Sequence, residues 1–493
     1  MNKEKEDKLL AKAKQIIEDN REKVAKDYYR LKYHLMAPVG WLNDPNGFIQ
    51  FDGEYHLCYQ FNPVYPADKL LYWGHYKSKD LVSWEELPVA LAPSEWYETH
   101  GCYSGSAVDN DGTLTFIYTG NVKDEWDNRE TYQCLAITED GVNFQKLGPV
   151  IENQPEGYTR HFRDPKVWQK DGSWYMVIGT QTTKLEGRVL LYKSMDLKEW
   201  ELVGEVAGSN FNNLDDFGYM WECPDLFELD GKDVLLTLPQ GLEAQGYLYN
   251  NIYQAGYLVG KLNYKTGRMD HGEFRELDRG FDFYAAQTTL DDKGRRIMIA
   301  WMGLPEEDQN YAERDQGWIH CMTIPRELRL NAENRLIQNP VEELKQLRRD
   351  YLEYRGIEIN NQKLELEGIS GDVLELIVEF EVGDAEEFGI KLRCSADGKE
   401  ETIIKYKTED KILSFDRNKA GLGGGGVRHC LIENDGRLKL HFFIDKSSIE
   451  MFVNDGQEVF SARIYPGQDS KRIKFFAQGS KVLINKIQKW KLN

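Results

Sequence analysis

The sequence predicts an all-β chain: a five-bladed β-propeller followed by a C-terminal antiparallel β-sandwich, with a short N-terminal helix. Three observations predict it. A hairpin recurs five times, as Gly47–Phe61, Ser106–Gly120, Lys166–Gly179, Asp225–Leu238 and Thr288–Gly303. Its turns lie about 60 residues apart, a period of repeat architectures with one small sheet per repeat. Beyond Tyr351 the repeat stops and short alternating stretches such as LELIVEFEV, EEFGIKLRC, LKLHFFID and SIEMFVN take over, separated by polar turns.

Taken in order, Met1–Tyr28 is charge-dense, and its Leu9, Ala13, Ile16, Ile17 and Val24 fall near helical spacing. This predicts an amphipathic helix packed on the body, within a lead-in segment 1–33. Residues 34–335 hold the five repeats. Four of the turns are Asp-Gly (Asp52-Gly53, Asp111-Gly112, Asp171-Gly172, Asp230-Gly231) and the fifth is Lys293-Gly294. Such pairs between apolar runs signal tight hairpins, because both central residues need φ > 0. A second repeated element, Ser78–Leu87, Thr138–Leu147 and Ser194–Val203, predicts the outer strand pair of a blade, with Trp84, Phe144 and Trp200 packing between blades. Pro340 followed by VEELKQLRR predicts a connecting helix within a linker 336–350. Residues 351–493 form the sandwich, in which GLGGGG at Gly421–Gly426 predicts a mobile surface loop, since no Gly-Lys-Ser/Thr of a phosphate loop follows it.

Asp44, Asp164 and Glu222 stand nine, eight and nine residues before the turn glycines of copies one, three and four. Equal register means equal height on equivalent strands. In a propeller the first strand of each blade lines the central channel, so three carboxylates converge on one axial funnel. Convergent carboxylates are what hydrolysis of a glycosidic bond uses.

Composition narrows the field further. A formal net charge of −20 repels phosphate backbones and excludes nucleic acid as a partner. No apolar run is long enough to span a bilayer, and the N-terminus lacks the apolar stretch of a signal peptide, so the expected address is cytoplasmic with no membrane partner. Seven scattered cysteines without a CxxC pair fit a reducing compartment, and nine dispersed histidines show no metal-ligand spacing. We therefore expect no metal and no cofactor. A homo-oligomer is compatible with this composition.

The stretch Trp41-Leu42-Asn43-Asp44-Pro45-Asn46-Gly47 is the strongest single motif. By itself it is a turn with a capping aspartate. Together with Arg163-Asp164-Pro165 and Trp221-Glu222-Cys223-Pro224 it resembles the motifs of the family 32 glycoside hydrolases, the β-fructofuranosidases, and the resemblance covers nearly the whole chain. Tyr59–Pro63, Trp73-Gly74-His75 and Tyr103-Ser104-Gly105-Ser106 resemble the family's substrate-binding elements, with Tyr103 where many members carry Phe. Asp445–Gly456 resembles its sandwich signature.

The resemblance implies a retaining mechanism on a terminal β-fructofuranoside, with phosphorylated sucrose as the expected form of a small-molecule carbohydrate substrate. Asp44 would be the nucleophile, Glu222 the acid/base, and Asp164 the stabiliser of the oxocarbenium-like transition state. Trp41, Leu42, Asn43, Gln60, Tyr103 and Ser104 would contact substrate; Trp73, Tyr284 and Trp301 read equally as sugar-stacking rings or propeller core, and Arg163 as a substrate donor or the ion-pair partner of Asp164. Asn43 and Gln60 are the expected donors to Asp44, and Trp221 and Cys223 the wall expected to raise the pKa of Glu222. His161 reads as a strand-end histidine. Three rival readings remain: a sucrase or fructan-trimming exo-hydrolase without phosphate preference, an inverting five-bladed glycosidase of the arabinan type, which the product's stereochemistry separates, and a non-catalytic sugar-binding propeller, which has no use for a paired nucleophile and acid.

Overall fold

The computed structural model describes residues 2–67, 70–126, 128–433 and 435–493. It opens with the helix Lys3–Ala25, whose first turn is capped by Asn2, the side chain accepting from the Lys5 amide at 3.2 Å. Ala13, Ile17 and Val24 are its buried face, and Arg21 pairs both guanidinium NH2 groups with Glu86 on the outer strand of the first blade. No helix among the described residues is long and apolar enough to cross a membrane.

Five small antiparallel sheets follow, one per repeat. Blade I runs Gly40–Phe51, Glu54–Asn62, Tyr72–Ser78 and Trp84–Leu91. The innermost strands of blades II to V are Cys102–Asn110, Tyr158–Lys170, Met220–Leu229 and Tyr284–Leu290. Each touches the next, and the fifth touches the first, so the ring is closed. Closure is reinforced by Trp318–Ile319, which pairs in parallel with Gly40–Trp41.

One side-chain bridge spans each blade junction near the axis. Asn46 accepts from the Gly105 amide at 3.0 Å, and Ser106 donates to the Pro165 carbonyl at 2.8 Å. Lys166 pairs with Asp225 at 3.0 Å, and Asp225 accepts from the Thr288 amide at 2.7 Å. Gln287 accepts from the Phe48 amide at 2.8 Å and donates to the Gly105 carbonyl at 3.0 Å. These groups are buried, save the half-buried Gln287, so the bonds also satisfy donors and acceptors that have lost their water.

The four Asp-Gly turns are two-residue hairpins with both φ values positive, for example 48° at Asp52 and 76° at Gly53. The fifth turn departs from the expected pattern. Leu290 pairs with Arg296 across a five-residue loop, and Gly294 adopts a positive φ while Lys293 does not. A lysine Cβ is costly in the left-handed region, and the longer loop spares it, with Asp291 capping the Lys293 and Arg295 amides. The second repeated element is the turn between third and fourth strands. Asp80, Asp140 and Asp196 each accept two backbone amides, followed by a left-handed residue at Leu81, Gly141 or Leu197.

The linker is not the helix expected over 336–350. Leu336–Pro340 is the outer strand of blade V, and Glu342–Leu347 is a single stretch of 3₁₀ helix. Arg348 already begins the first sandwich strand, Arg348–Asn360. So short a stretch between a proline and a strand cannot sustain an α-helix.

The sandwich has two six-stranded sheets. Leu376, Val378, Phe380, Phe388, Ile390, Ile404, Phe442 and Met451 are fully buried between them. The glycine-rich segment is docked rather than mobile. Leu422 donates to the Tyr465 carbonyl at 3.0 Å, and Gly424 donates to the Asn310 carbonyl of the propeller at 3.1 Å. A Cβ at Gly421 would collide with the Tyr465 carbonyl, so glycine is needed there for close backbone approach.

The residues of the sandwich signature form the domain interface. Asp445 accepts from the Lys32 and Tyr33 amides and meets His34 Nδ1 at 2.9 Å, and Glu450 meets His34 Nε2 at 3.1 Å. Arg326, fully buried, bonds Glu450 at 2.6 Å, Ser461 at 2.7 Å and Asp278 at 3.1 Å.

Candidate active site

Every innermost strand is broken by a bulge at the same height. The ladder slips at Asn43-Asp44 in blade I, Ser104 in blade II, Asp164 in blade III, Cys223 in blade IV and Ala285 in blade V. Asp164, Cys223 and Ala285 take positive φ there (66°, 42° and 50°). A bulge frees a residue from the ladder and re-aims its neighbours, and a ring of five turns the strand ends toward the axis. The result is a cavity of about 570 Å³ on the propeller axis.

Asp44, Asp164 and Glu222 all line it, with Trp41, Asn43, Gln60, Tyr103, Arg163, Tyr284 and Trp301. Ser104 lies behind Asp44 and donates to Oδ2 at 2.6 Å. Leu42 and Trp73 do not reach the cavity. Leu42 is fully buried in the blade core. Trp73 packs on Phe116 and Tyr118 and donates to the Tyr103 carbonyl at 3.1 Å, so it supports the Tyr103 backbone instead of stacking on a sugar. On a wide, twisted strand, alternation decides which face a residue takes, and Trp73 falls on the inter-blade face.

The donors to Asp44 also differ from those expected. Ser104 is the donor, and Gln60 acts one step back, donating to Ser104 Oγ at 2.9 Å. The Cys223 thiol lies 3.7 Å from Asp44 Oδ2. Burial pushes the Asp44 carboxyl up to about 7, against the Ser104 hydrogen bond, with Asp164 and Glu222 adding repulsion. Asp164 accepts from the Cys223 amide at 3.1 Å and lies 3.9 Å from Arg163 Nε. Burial, opposed by Arg163, raises it to about 6.

Glu222 runs opposite to the expectation. Burial alone would raise its pKa, but Arg163 donates to Oε1 from Nε at 3.0 Å and Nη2 at 2.5 Å, while Gln240 and Tyr284 donate to Oε2 at 2.6 and 2.8 Å. Burial is the largest single influence, but Arg163, with Tyr284 and Arg129, together outweigh it and hold Glu222 below the usual glutamate range. Trp221 takes no part, being buried with its Nε1 donating to the Phe217 carbonyl at 2.8 Å. Of the three carboxyls Asp44 therefore holds a proton most tightly and Glu222 least.

Other lining residues escaped the sequence reading: Arg129, Tyr219, Gln240, Tyr253, Glu306 and Asp308 among them. Gln240 could have been found by counting across the Asp230-Gly231 turn, since it pairs with Met220 beside Glu222. Glu306 and Asp308 come from the long connection between Met302 and Trp318, where no periodicity points inward. His161, expected only as a strand-end residue, lines the cavity, and its Nδ1 faces Arg163 Nη1 at 3.1 Å.

Comparison with known proteins agrees with this architecture. The family description "Glycosyl hydrolases family 32 N-terminal domain" matches residues 34–340, and "Glycosyl hydrolases family 32 C terminal" matches 343–491. A sucrose-6-phosphate hydrolase of Bacillus subtilis is 46% identical over 461 residues, 92% of each chain. The structure of sucrose-6-phosphate hydrolase from Lactobacillus gasseri superposes with a TM-score of 0.87 at 31% identity, covering 97% of this chain and 96% of that one. A mutant of a Bombyx mori family 32 β-fructofuranosidase, solved in complex with sucrose, gives 0.84 at 35% identity over 98% of both chains.

Proposed function

The chain belongs to glycosyl hydrolases family 32, and from that premise we propose that it is a retaining β-fructofuranosidase whose preferred substrate is sucrose 6-phosphate. The observation that carries the reading is the convergence of Asp44, Asp164 and Glu222, from three blades, on one cavity at the height of the bulge ring. Asp44 attacks the anomeric carbon of the fructosyl unit. Glu222 protonates the departing glycosidic oxygen and then takes a proton from the water that hydrolyses the fructosyl-enzyme. Asp164 holds fructosyl hydroxyls and balances positive charge in the transition state.

The reaction needs a proton on Glu222 and Asp44 ionised, the reverse of the order in which the resting carboxyls hold protons. Arg163 sets that balance. Its guanidinium lies 2.5 Å from Glu222 and 3.9 Å from Asp164, so any weakening of the Glu222 contact raises the proton affinity of Glu222. Activity is lost as pH rises through the pKa of the acid, and Arg163 lowers that pKa. Arg163→Gln therefore moves the basic limb of the kcat/KM profile to higher pH, whatever it does to the maximum. A limb that stays in place, or moves down, removes Arg163 from this role.

The substrate assignment rests on the relatives and is tested by kcat/KM on sucrose and sucrose 6-phosphate at low salt. We expect the phosphorylated sugar to be preferred by about tenfold or more. Equal values reject the preference and leave a general sucrase or fructan-trimming enzyme. The same reading gives the enzyme a cytoplasmic address, in keeping with seven cysteines that are all free thiols.

A further inference from the structure

The wall of the cavity is electrically divided. On one side stand Arg129, Arg163 and His161, from blades II and III. On the other stand Glu306 and Asp308, from the connection within blade V, tied to Tyr253 and Tyr65 by hydroxyl hydrogen bonds of 3.1 and 2.7 Å. In a chain of net charge −20, a cationic wall facing a substrate cavity has to be accounted for.

Arg163 is paired with Glu222, whereas Glu222 and Asp164 act on Arg129 only at longer range. Among the described residues no carboxylate lies within ion-pairing distance of it. Its guanidinium instead sits 5.4 Å from the centroid of the Tyr103 ring. It is largely desolvated, and burial together with the neighbouring Arg163 weakens its hold on its proton. A partly buried cation without a directly paired carboxylate, on a wall of a substrate cavity, is a site prepared for an anion.

The position fits the leaving group. Asp44 lies in the bulge ring with Ser104 behind it, and attack from that side expels the leaving group away from it. Glu222 must touch the departing oxygen, and its first carboxylate oxygen faces Arg163. Arg129 acts electrostatically on both Glu222 and Asp164. It belongs to the third strand of its blade, Arg129–Thr138, two strands out from the axis. The departing half of the substrate therefore passes Glu222 on the side where the cations stand. His161 adds a directed donor there. With Arg163 donating to its Nδ1, the ring proton is on Nε2, and burial beside Arg163 lowers its pKa to about 4, keeping the ring neutral.

From this arrangement we infer that Arg129, assisted by the Nε2–H of His161, reads a phosphoryl group on the leaving half of the substrate. The inference rests on the substrate reading given above. The guanidinium offers a planar pair of donors to two phosphoryl oxygens, and the acids on the opposite wall disfavour the reverse placement.

The test measures kcat/KM on sucrose 6-phosphate and on sucrose for the wild type, Arg129→Gln and Arg129→Lys. Losing Arg129 also perturbs Glu222, which affects both sugars alike, so the ratio of the two constants is the readout. The expected result is a fall in that ratio of about ten- to a hundredfold in Arg129→Gln, with partial recovery in Arg129→Lys, which restores the charge but not the fork. Glucose 6-phosphate as a product inhibitor should lose affinity in parallel, while glucose should not. A wild type without preference defeats the substrate reading itself. A wild type with preference whose ratio survives Arg129→Gln defeats the assignment of Arg129 and leaves the substrate reading standing.

Discussion

Asp44→Asn lowers kcat on the order of 10⁴-fold or more while leaving the fold intact, because the amide is nearly isosteric and cannot form the fructosyl-enzyme. Its amide oxygen still accepts from Ser104, so the local geometry survives. Stability should move the other way. The folded protein raises the Asp44 pKa to about 7, well above its unfolded value, so the folded state holds that proton more tightly. Ionising Asp44 therefore destabilises the fold, an effect that is absent below the unfolded pKa, grows as pH rises and is complete above about 7. The variant removes it, and its Tm should exceed that of the wild type at about pH 8, with the gap closing toward about pH 4. Turnover within tenfold of wild type sinks Asp44 as the nucleophile, and a Tm gap that widens at low pH contradicts the electrostatic account.

Glu222→Gln is the second large effect, a loss of about 10²–10⁴-fold on the natural substrate, the usual contribution of a positioned general acid. Its diagnostic is selectivity for the leaving group. An aryl β-fructofuranoside with an acidic phenol needs little protonation to depart, so the first step should recover. The second step still lacks its base, and the fructosyl-enzyme should accumulate as a burst. Equal losses on sucrose and on the aryl substrate would falsify Glu222 as the acid. The variant also frees Arg163 from its 2.5 Å ion pair, so part of any stability change belongs to the stranded guanidinium and not to catalysis.

What is legible in the sequence is local or repeated. Asp-Gly turns declare themselves because the left-handed region restricts which residues can occupy it, and the fifth turn breaks the pattern because Lys293-Gly294 satisfies that rule at one position only. Register then brings Asp44, Asp164 and Glu222 to one height without any knowledge of distances. What stays hidden is relational. The Arg163–Glu222 pair joins residues 59 apart, and Ser104 reaches Asp44 across 60. The sign of the Glu222 shift depends on Arg163, Tyr284 and Arg129, all distant in sequence, so a correct list of neighbours in sequence, Trp221 and Cys223, still points the wrong way. The docked glycine segment is hidden for the same reason, since composition cannot say whether a backbone without side chains is loose or closely approached.

The clamp of Lys32, Tyr33 and His34 on Asp445 has a consequence for synthesis. The donors are made early, and their acceptor more than 400 residues later. Until the ribosome has delivered Asp445, Glu450 and Ser461, two amides and an imidazole destined for a dry interface lack these partners, and Arg326 lacks two of its anchors. The propeller ring is complete in sequence by Pro340, yet its lead-in cannot settle at that point. The sandwich thus acts as the end-of-message signal for the catalytic half, and a prematurely terminated chain is left with its beginning unsecured.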